Sequence, residues 1–437
     1  MKIYNTAEAK QTILKRKALN RIEYSPLTIQ RTEEFFGKGV TPPQAVEIIL
    51  RSVEEDGDRA IFKWSKILDH YENDQIVIPK PKLKTAWDQL PSHIQEAMQS
   101  AASRIRTFHE LQPVNDWISE ELGGKLGQRF SPIERIGVYV PGGTAPLPSS
   151  LLMSVIPAQV AGVKQIFIAT PPEPAASILA VAHLCGVDEI YQIGGAQAIA
   201  AFAFGTDTVT RVEKIVGAGN LFVTLAKQQL FGVVGLDGLA GPTETMVIAD
   251  QSANPAWVAA DLLAQAEHDV QASAILLTTD PELASVVAEQ IDSQMDLLSR
   301  KEIILASIEN AGGIVLVESL DQAAELANAY GAEHLCLSVK NPEDLMSKIN
   351  NAGGFFLGDY SFEVLGDYIA GSSHIMPTGG TALFASPLNV LDFVKISSVI
   401  ALDRQTAKQL SATAVELAEL ENLTAHAAAA RARLEAE

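Results

Sequence analysis

From about residue 133 the chain alternates short β-rich runs with helical stretches, and it does so twice. The first series reads as strands over Ile133–Val140, Gln165–Thr170, Glu189–Ile193 and Lys214–Val216, with helices over Leu151–Val163, Ala175–Leu184 and Gln197–Phe204 between them. After a Gly/Pro-rich break at Gly238–Pro242 the pattern restarts over Thr245–Ile248, Ala274–Thr278, Ile314–Val317, Leu335–Val339 and Gly354–Leu357. Strands separated by helices pair in parallel, and a parallel sheet needs both faces covered. The expected fold class is therefore α/β, with two Rossmann-like doubly wound domains. Their functional cleft is expected between them and at the carboxyl ends of the strands.

The flanks read differently. Residues 1–128 form a mostly helical region, expected to pack in part on the second α/β domain. Within it Thr41 before Pro42 marks a helix start. Val46, Ile49, Leu50 and Val53 then recur at helical spacing and turn Glu47, Glu54 and Glu55 outward. The first α/β domain is placed at 129–241 and the second at 242–380. Residues 381–437, Ala-, Leu- and Glu-rich from Thr406 onward, read as a C-terminal helical arm and a dimer contact.

Charge and composition narrow the function. Lys and Arg number 33 against 53 Asp and Glu, a formal net charge of −20, which disfavours a nucleic-acid partner because phosphate binding needs clustered cations. No apolar run approaches the roughly 18 residues of a membrane span. The amino-terminal stretch lacks the apolar core of a signal peptide. Cys185 and Cys336 both sit in apolar surroundings, as buried thiols in a reducing cytoplasm would.

The candidate chemistry lies in two sets. Tyr139-Val140-Pro141-Gly142-Gly143, Gly194-Gly195-Ala196-Gln197 and Gly217-Ala218-Gly219-Asn220 each follow a strand and lead to a helix. Glycines there let a backbone approach a phosphate at a helix N-terminus. Tight turns alone need the same glycines, and the full G-x-G-x-x-G fingerprint is absent. The second set is ionisable. Gln265 and His268, three apart on an apolar helix, lie side by side as two metal ligands would. Glu333-His334 precedes an apolar strand, where an acid and an imidazole can line a cleft and share general acid/base work. Asp367 and His374 flank a Gly-Ser-Ser loop, and Glu421 and His426 lie in the C-terminal arm.

Taken in order, several strings resemble the histidinol dehydrogenase family. They are Gly137–Gly143, Pro148–Met153, Gly194–Ala200, Gly241–Glu244, Gln265–Asp269, Ala332–Leu335, Gly366–Tyr368 and Glu421–His426, covering most of the chain from about 130 to 427. The resemblance implies two successive NAD-dependent oxidations, L-histidinol to histidinal to L-histidine, at a site with one zinc ion per subunit. It implies zinc ligands Gln265, His268, Asp367 and His426. It makes His334 the group that takes the alcohol proton and Glu333 the group that activates water. Tyr139, Gln197 and Asn220 match NAD-contacting positions. Thr243, His374 and Glu421 match substrate-contacting positions, beside the ligands and His334. It further implies a homodimer in which a tail of one subunit helps complete the other's site.

Some positions depart from the family pattern. Thr243 stands for serine, Ala218 and Ala332 for prolines, and Asn422 for glycine. Ser372-Ser373 replaces Pro-Asn, and Leu383 replaces arginine. The last two leave open an alternative, a paralogue that oxidises another small alcohol such as a sulfonated diol.

Overall fold

A computed structural model describes residues 1–16, 24–73, 75–142 and 146–434. Gly143, the last residue of the first glycine turn, lies outside them. The chain divides into two compact units. The larger comprises residues 1–111 and 134–392, the smaller residues 112–133 and 393 onward.

Two parallel sheets organise the larger unit, as the alternation requires. The first has five strands in the order Glu189–Gln192, Gln165–Thr170, Arg135–Tyr139, Lys214–Val216, Gly235–Leu236. The second has six: Ile3–Asn5, Gly313–Leu316, Ser273–Thr278, Glu244–Ala249, His334–Ser338, Gly354–Leu357. Every neighbouring pair in both is parallel. The central strands of the second sheet are buried on both faces: all six residues of Ser273–Thr278 and of Glu244–Ala249 are buried. Such strands read as continuous apolar runs rather than alternating ones, which is why they stand out in the sequence. In each sheet the chain winds outward one way and then returns to wind the other way. That places a switch point between Arg135–Tyr139 and Lys214–Val216, and another between Glu244–Ala249 and His334–Ser338.

The helices Pro42–Asp56 and Asp58–Leu68 pack with the first sheet, and the helix Thr6–Gln11 with the second. The helix Pro42–Asp56 begins at Thr41 with a capping box closed by Gln44, and buries Val46, Ile49, Leu50 and Val53 as expected. These join Trp64, Tyr191 and Phe202 in one apolar cluster. Ile3–Asn5 instead adds a strand to the second sheet, pairing with Gly313–Leu316.

The smaller unit departs from the helical reading of both flanks. Trp117–Ser119, Lys125–Pro132 and Val394–Ala401 form an antiparallel three-stranded sheet. The helices Arg404–Leu420 and Thr424–Leu434 follow it. Residues 394–401 carry four β-branched aliphatics, Val394, Ile396, Val399 and Ile400, a strand signal that the helical composition downstream obscures.

Both cysteines are free; Cys336 is buried and Cys185 partly so. Burial pushes the Cys185 thiol up to about 12 and the Cys336 thiol well above its ordinary value. No helix among the described residues is long and apolar enough to cross a membrane.

Candidate active site

In the second sheet the ionisable residues gather at the amino ends of the strands, not the carboxyl ends where the cleft was expected. Thr243 and Glu244 stand at the start of one switch-point strand, and Glu333 and His334 at the start of its neighbour. The cause is the turn between strand and helix. The helix Pro255–Ala266 runs back along the sheet, so Gln265 in its last turn and His268 just beyond return to the amino edge. The negative end of that helix dipole favours a cation there.

His334 is the centre of the cluster. Its Nδ1 lies 3.3 Å from the Glu244 carbonyl, 3.7 Å from Glu333 and 4.0 Å from Glu363. Its Nε2 lies 3.5 Å from Asp367 and has no hydrogen-bond partner. Burial alone would strip the proton from this imidazole. The carboxylates of Glu363, Asp367 and Glu333 outweigh that and raise it to about 10. Glu333 is fixed through one oxygen, which accepts from Thr243 Oγ1 at 2.5 Å and from the Glu244 N–H at 2.9 Å. Burial pushes its carboxyl up to about 7. Glu244 is anchored in turn by a bidentate bond from Arg16, whose guanidinium also stacks on Tyr330 and donates to the Tyr330 and Gly331 carbonyls.

His268 and His374 face the same group. Burial lowers both, while Asp367 acts in the opposite sense on each. His374 donates through Nδ1 to the Asp367 carbonyl at 2.8 Å and meets Ser150 Oγ through Nε2 at 3.0 Å. Ser150 belongs to the helix Pro148–Ala161 that follows the first sheet's strand Arg135–Tyr139, so this bond ties the two halves of the larger unit together.

A metal ion fits this place. Gln265 is fully buried, and neither its Oε1 nor its Nε2 has a hydrogen-bond partner, an arrangement that costs free energy unless a ligand satisfies it. His334, Glu363 and Asp367 each offer an atom within 4.8 Å of the others. Glu363 was not anticipated. It is fully buried, accepts from Thr245 Oγ1, and burial raises it to about 7. Its only trace in the sequence is helical spacing, four residues before Asp367.

The first sheet carries the other candidates at its carboxyl ends, beside its own switch point. Tyr139 ends its strand, and its hydroxyl accepts from the Gly195 N–H at 3.0 Å. Gln197 is fully buried in the helix Gly195–Phe204. Asn220 caps the helix Leu221–Leu230, accepting from the Phe222 and Val223 N–H groups. Gly217 has φ +103, and a Cβ there would stand 2.2 Å from the Tyr139 carbonyl oxygen; only glycine allows the two turns to meet. A buried pair clasps this turn: Lys227 Nζ donates to the Gly217 carbonyl and to Asp237, and Asp237 accepts from the Gly217 N–H.

Glu421 and His426 belong to the smaller unit, where both are exposed. Glu421 follows the helix Arg404–Leu420, and His426 lies in the first turn of Thr424–Leu434.

A profile of the family described as histidinol dehydrogenase matches residues 39–434. The histidinol dehydrogenase of Dehalococcoides mccartyi is 46% identical over 411 residues, 93% of this chain and 94% of its own length. This chain belongs to the histidinol dehydrogenase family. That of Aquifex aeolicus is 45% identical over 419 residues, 95% of this chain and 97% of its own. The crystal structure of histidinol dehydrogenase from Elizabethkingia anophelis aligns with a TM-score of 0.91 at 35% identity, covering 100% of this chain and 98% of that one.

Two of the departures from the histidinol dehydrogenase pattern now have a structural setting. Thr243 keeps the hydroxyl that holds Glu333. Asn422 has φ +58, a left-handed conformation that glycine adopts freely and asparagine more readily than most. Leu383 is about half exposed in a short turn, and nothing in the structure explains the loss of an arginine there.

Proposed function

We propose that this chain is a cytoplasmic homodimeric enzyme that oxidises L-histidinol to L-histidine through histidinal, with NAD as oxidant and one zinc ion per subunit. The observation that carries this reading is the buried Glu333–His334 pair at the amino edge of the second sheet, set against Asp367 and an unsatisfied Gln265. Gln265, His268 and Asp367 would hold the metal, and the family pattern adds His426 of the C-terminal arm. When bound, zinc supplies positive charge among these carboxylates, polarising the alcohol oxygen and easing the proton off His334, while NAD supplies the hydride acceptor.

The chain's own residues divide the acid/base work. His334 turns Nδ1 to the Glu244 carbonyl, which leaves Nε2 as the atom that takes the alcohol proton. Glu333 has one oxygen committed to Thr243 and the Glu244 N–H, so its other oxygen is free to activate water for attack on the aldehyde. With its carboxyl pushed to about 7 by burial, it exchanges a proton near neutral pH, the range in which a general base is most effective. Ser150 and the Asp367 carbonyl hold His374 at the edge of the site, where it and Thr243 would contact substrate, with Glu421 added by the family pattern. Tyr139, Gln197 and Asn220 would contact NAD at the turns of the first sheet. The relatives' shared name favours histidinol over the sulfonated-diol alternative.

The test is NADH formation from L-histidinol and NAD by zinc-loaded protein beside a chelator-treated control. We expect two NADH per histidinol, histidine as product, and loss of both on chelation. No NADH from folded, zinc-containing protein would overturn the reading.

A further inference from the structure

The helix Asp58–Leu68 ends at a residue that its own fold does not favour. Asp69 is the C-cap, where a carboxylate opposes the helix dipole. The next residue, His70, takes a left-handed conformation at φ +54, uncommon for a residue other than glycine. The Tyr71 N–H returns to the Ser65 carbonyl at 3.1 Å. This reversal delivers Asp69 to the carboxyl edge of the first sheet. There its Oδ2 accepts from Gln197 Nε2 at 3.1 Å, and its Oδ1 lies against Gly194, 3.2 Å from where a Cβ would stand.

Gln197 shows what the contact does. An ionised carboxylate only accepts hydrogen bonds, so it selects the amide nitrogen and fixes which way the amide points. The other end, Oε1, is buried without a partner and faces Gly195, 2.8 Å from where a Cβ on that glycine would stand. Gly195 has φ +61, and its N–H is already committed to the Tyr139 hydroxyl. Three side chains from three elements therefore converge on the N-terminal turn of the helix Gly195–Phe204. One of them holds an unsatisfied acceptor there, an expensive state for the apoprotein. Burial raises the Asp69 carboxyl to about 6, while the hydrogen bond from Gln197 and the nearby His70 act in the opposite sense.

We propose that Asp69 is a positioning residue of the dinucleotide site: by taking the Gln197 amide donor it presents Gln197 Oε1 to the Gly194–Gly195 turn as the acceptor for a hydroxyl or amide N–H of the cofactor. The inference rests on reading this turn as part of the NAD site. It assigns Asp69 no contact with substrate or with the reacting atoms.

The test is steady-state kinetics of the full-length, zinc-loaded enzyme, with NAD and histidinol varied in turn, for Asp69→Ala, Asp69→Asn, Gln197→Ala and Asp69→Ala/Gln197→Ala. Loss of one hydrogen bond between neutral groups corresponds to a rise of up to about tenfold in KM for NAD. We expect that rise in Asp69→Ala and in Gln197→Ala, with kcat and KM for histidinol changed little. Asp69→Asn, whose amide oxygen still accepts from Gln197, should recover most of it. The double variant should be no worse than Gln197→Ala. A penalty from Asp69→Ala that persists in the Gln197→Ala background, or that falls equally on histidinol, would overturn the positioning role in favour of a general structural one. A raised KM in Gln197→Ala beside an unchanged one in both Asp69 variants would overturn the role of Asp69 alone. An unchanged KM in Gln197→Ala would overturn the dinucleotide reading of the turn and the proposal with it.

Discussion

The two parallel sheets of the larger unit share a winding pattern and use opposite ends of it. The first sheet offers backbone at the carboxyl ends of its strands: glycine turns, a helix cap at Asn220, and N–H groups held by Tyr139 and Asp237. The second offers side chains at the amino ends, where His334 lies beside Glu333 and Asp367, Asp367 acts on His268, and the helix carrying Gln265 returns to the same edge. Backbone recognition at a glycine turn suits a large ligand that must be held without being altered. Ionisable side chains buried among one another suit proton transfer, because burial and neighbouring charge move their pKa values toward the working pH. The placement follows from which end of each strand–helix unit carries the chemistry, not from a difference in fold.

The sharpest way to break this comparison is at the second sheet. Replacing His334 with Asn should lower the first oxidation by about 10²–10⁴-fold, the range for loss of a general base. Glu333→Gln should spare that step and slow oxidation of the aldehyde, which single-turnover measurement from histidinol and from histidinal separates. Equal loss of both half-reactions in both variants would sink the division of labour. His268→Ala should strip the metal, and an unchanged zinc content in the purified variant would remove His268 from the ligand set.

The first sheet should respond in stability before chemistry. Lys227→Met leaves Asp237 buried without its partner, and removing one member of a buried pair costs about 3–5 kcal/mol. Denaturant unfolding should show that loss, and a shift below 1 kcal/mol would mean that the clasp on Gly217 is dispensable. A smaller effect should appear behind the second sheet. Asp261, on the helix Pro255–Ala266, is raised to about 6 by burial and by the nearby Asp359 charge. Its folded pKa lies above its unfolded value, so the folded state holds a proton that the unfolded state has lost. Stability therefore falls as pH rises from about 4 through about 6. Asp261→Asn should remove that part of the slope and add about 1–3 kcal/mol above pH 7. Parallel melting-temperature profiles for the two proteins from pH 4 to 8 would refute it.

The central strands of both sheets were legible because burial on two faces writes them as apolar runs, and Gln165–Thr170, Lys214–Val216 and Gly354–Leu357 match residue for residue; the short edge strands Ile3–Asn5 and Gly235–Leu236 were not. The strands of the smaller unit were not, since Lys125–Pro132 mixes exposed and half-buried positions with a glycine and a proline. Within the site, Gln265 and His268 could be paired by helical spacing, and Glu333-His334 by adjacency. The roles assigned to them came from family resemblance, because no spacing rule joins residues a hundred positions apart. Glu363 and Asp69 escaped for a common reason. Each is a single carboxylate in a polar-looking stretch whose burial is created only by distant chain, Thr245 and His334 for one and Gln197 for the other. The ionisable cluster stands at the amino ends of the second sheet's strands, which the carboxyl-end rule for open α/β sheets does not anticipate.

The three-residue strand Ile3–Asn5 has a consequence for how the molecule is made. It lies opposite Ile314–Leu316, so this strand pairs with a neighbour roughly three hundred residues downstream. Loop closure over that span is slow, and high contact order delays the sheet as a whole. Until Ile3–Asn5 docks, Gly313–Leu316 stands as an open strand edge, the feature most prone to pair with another molecule. A chain truncated at Thr6 never closes that edge, and its yield on refolding should fall with protein concentration even where its catalytic residues are intact.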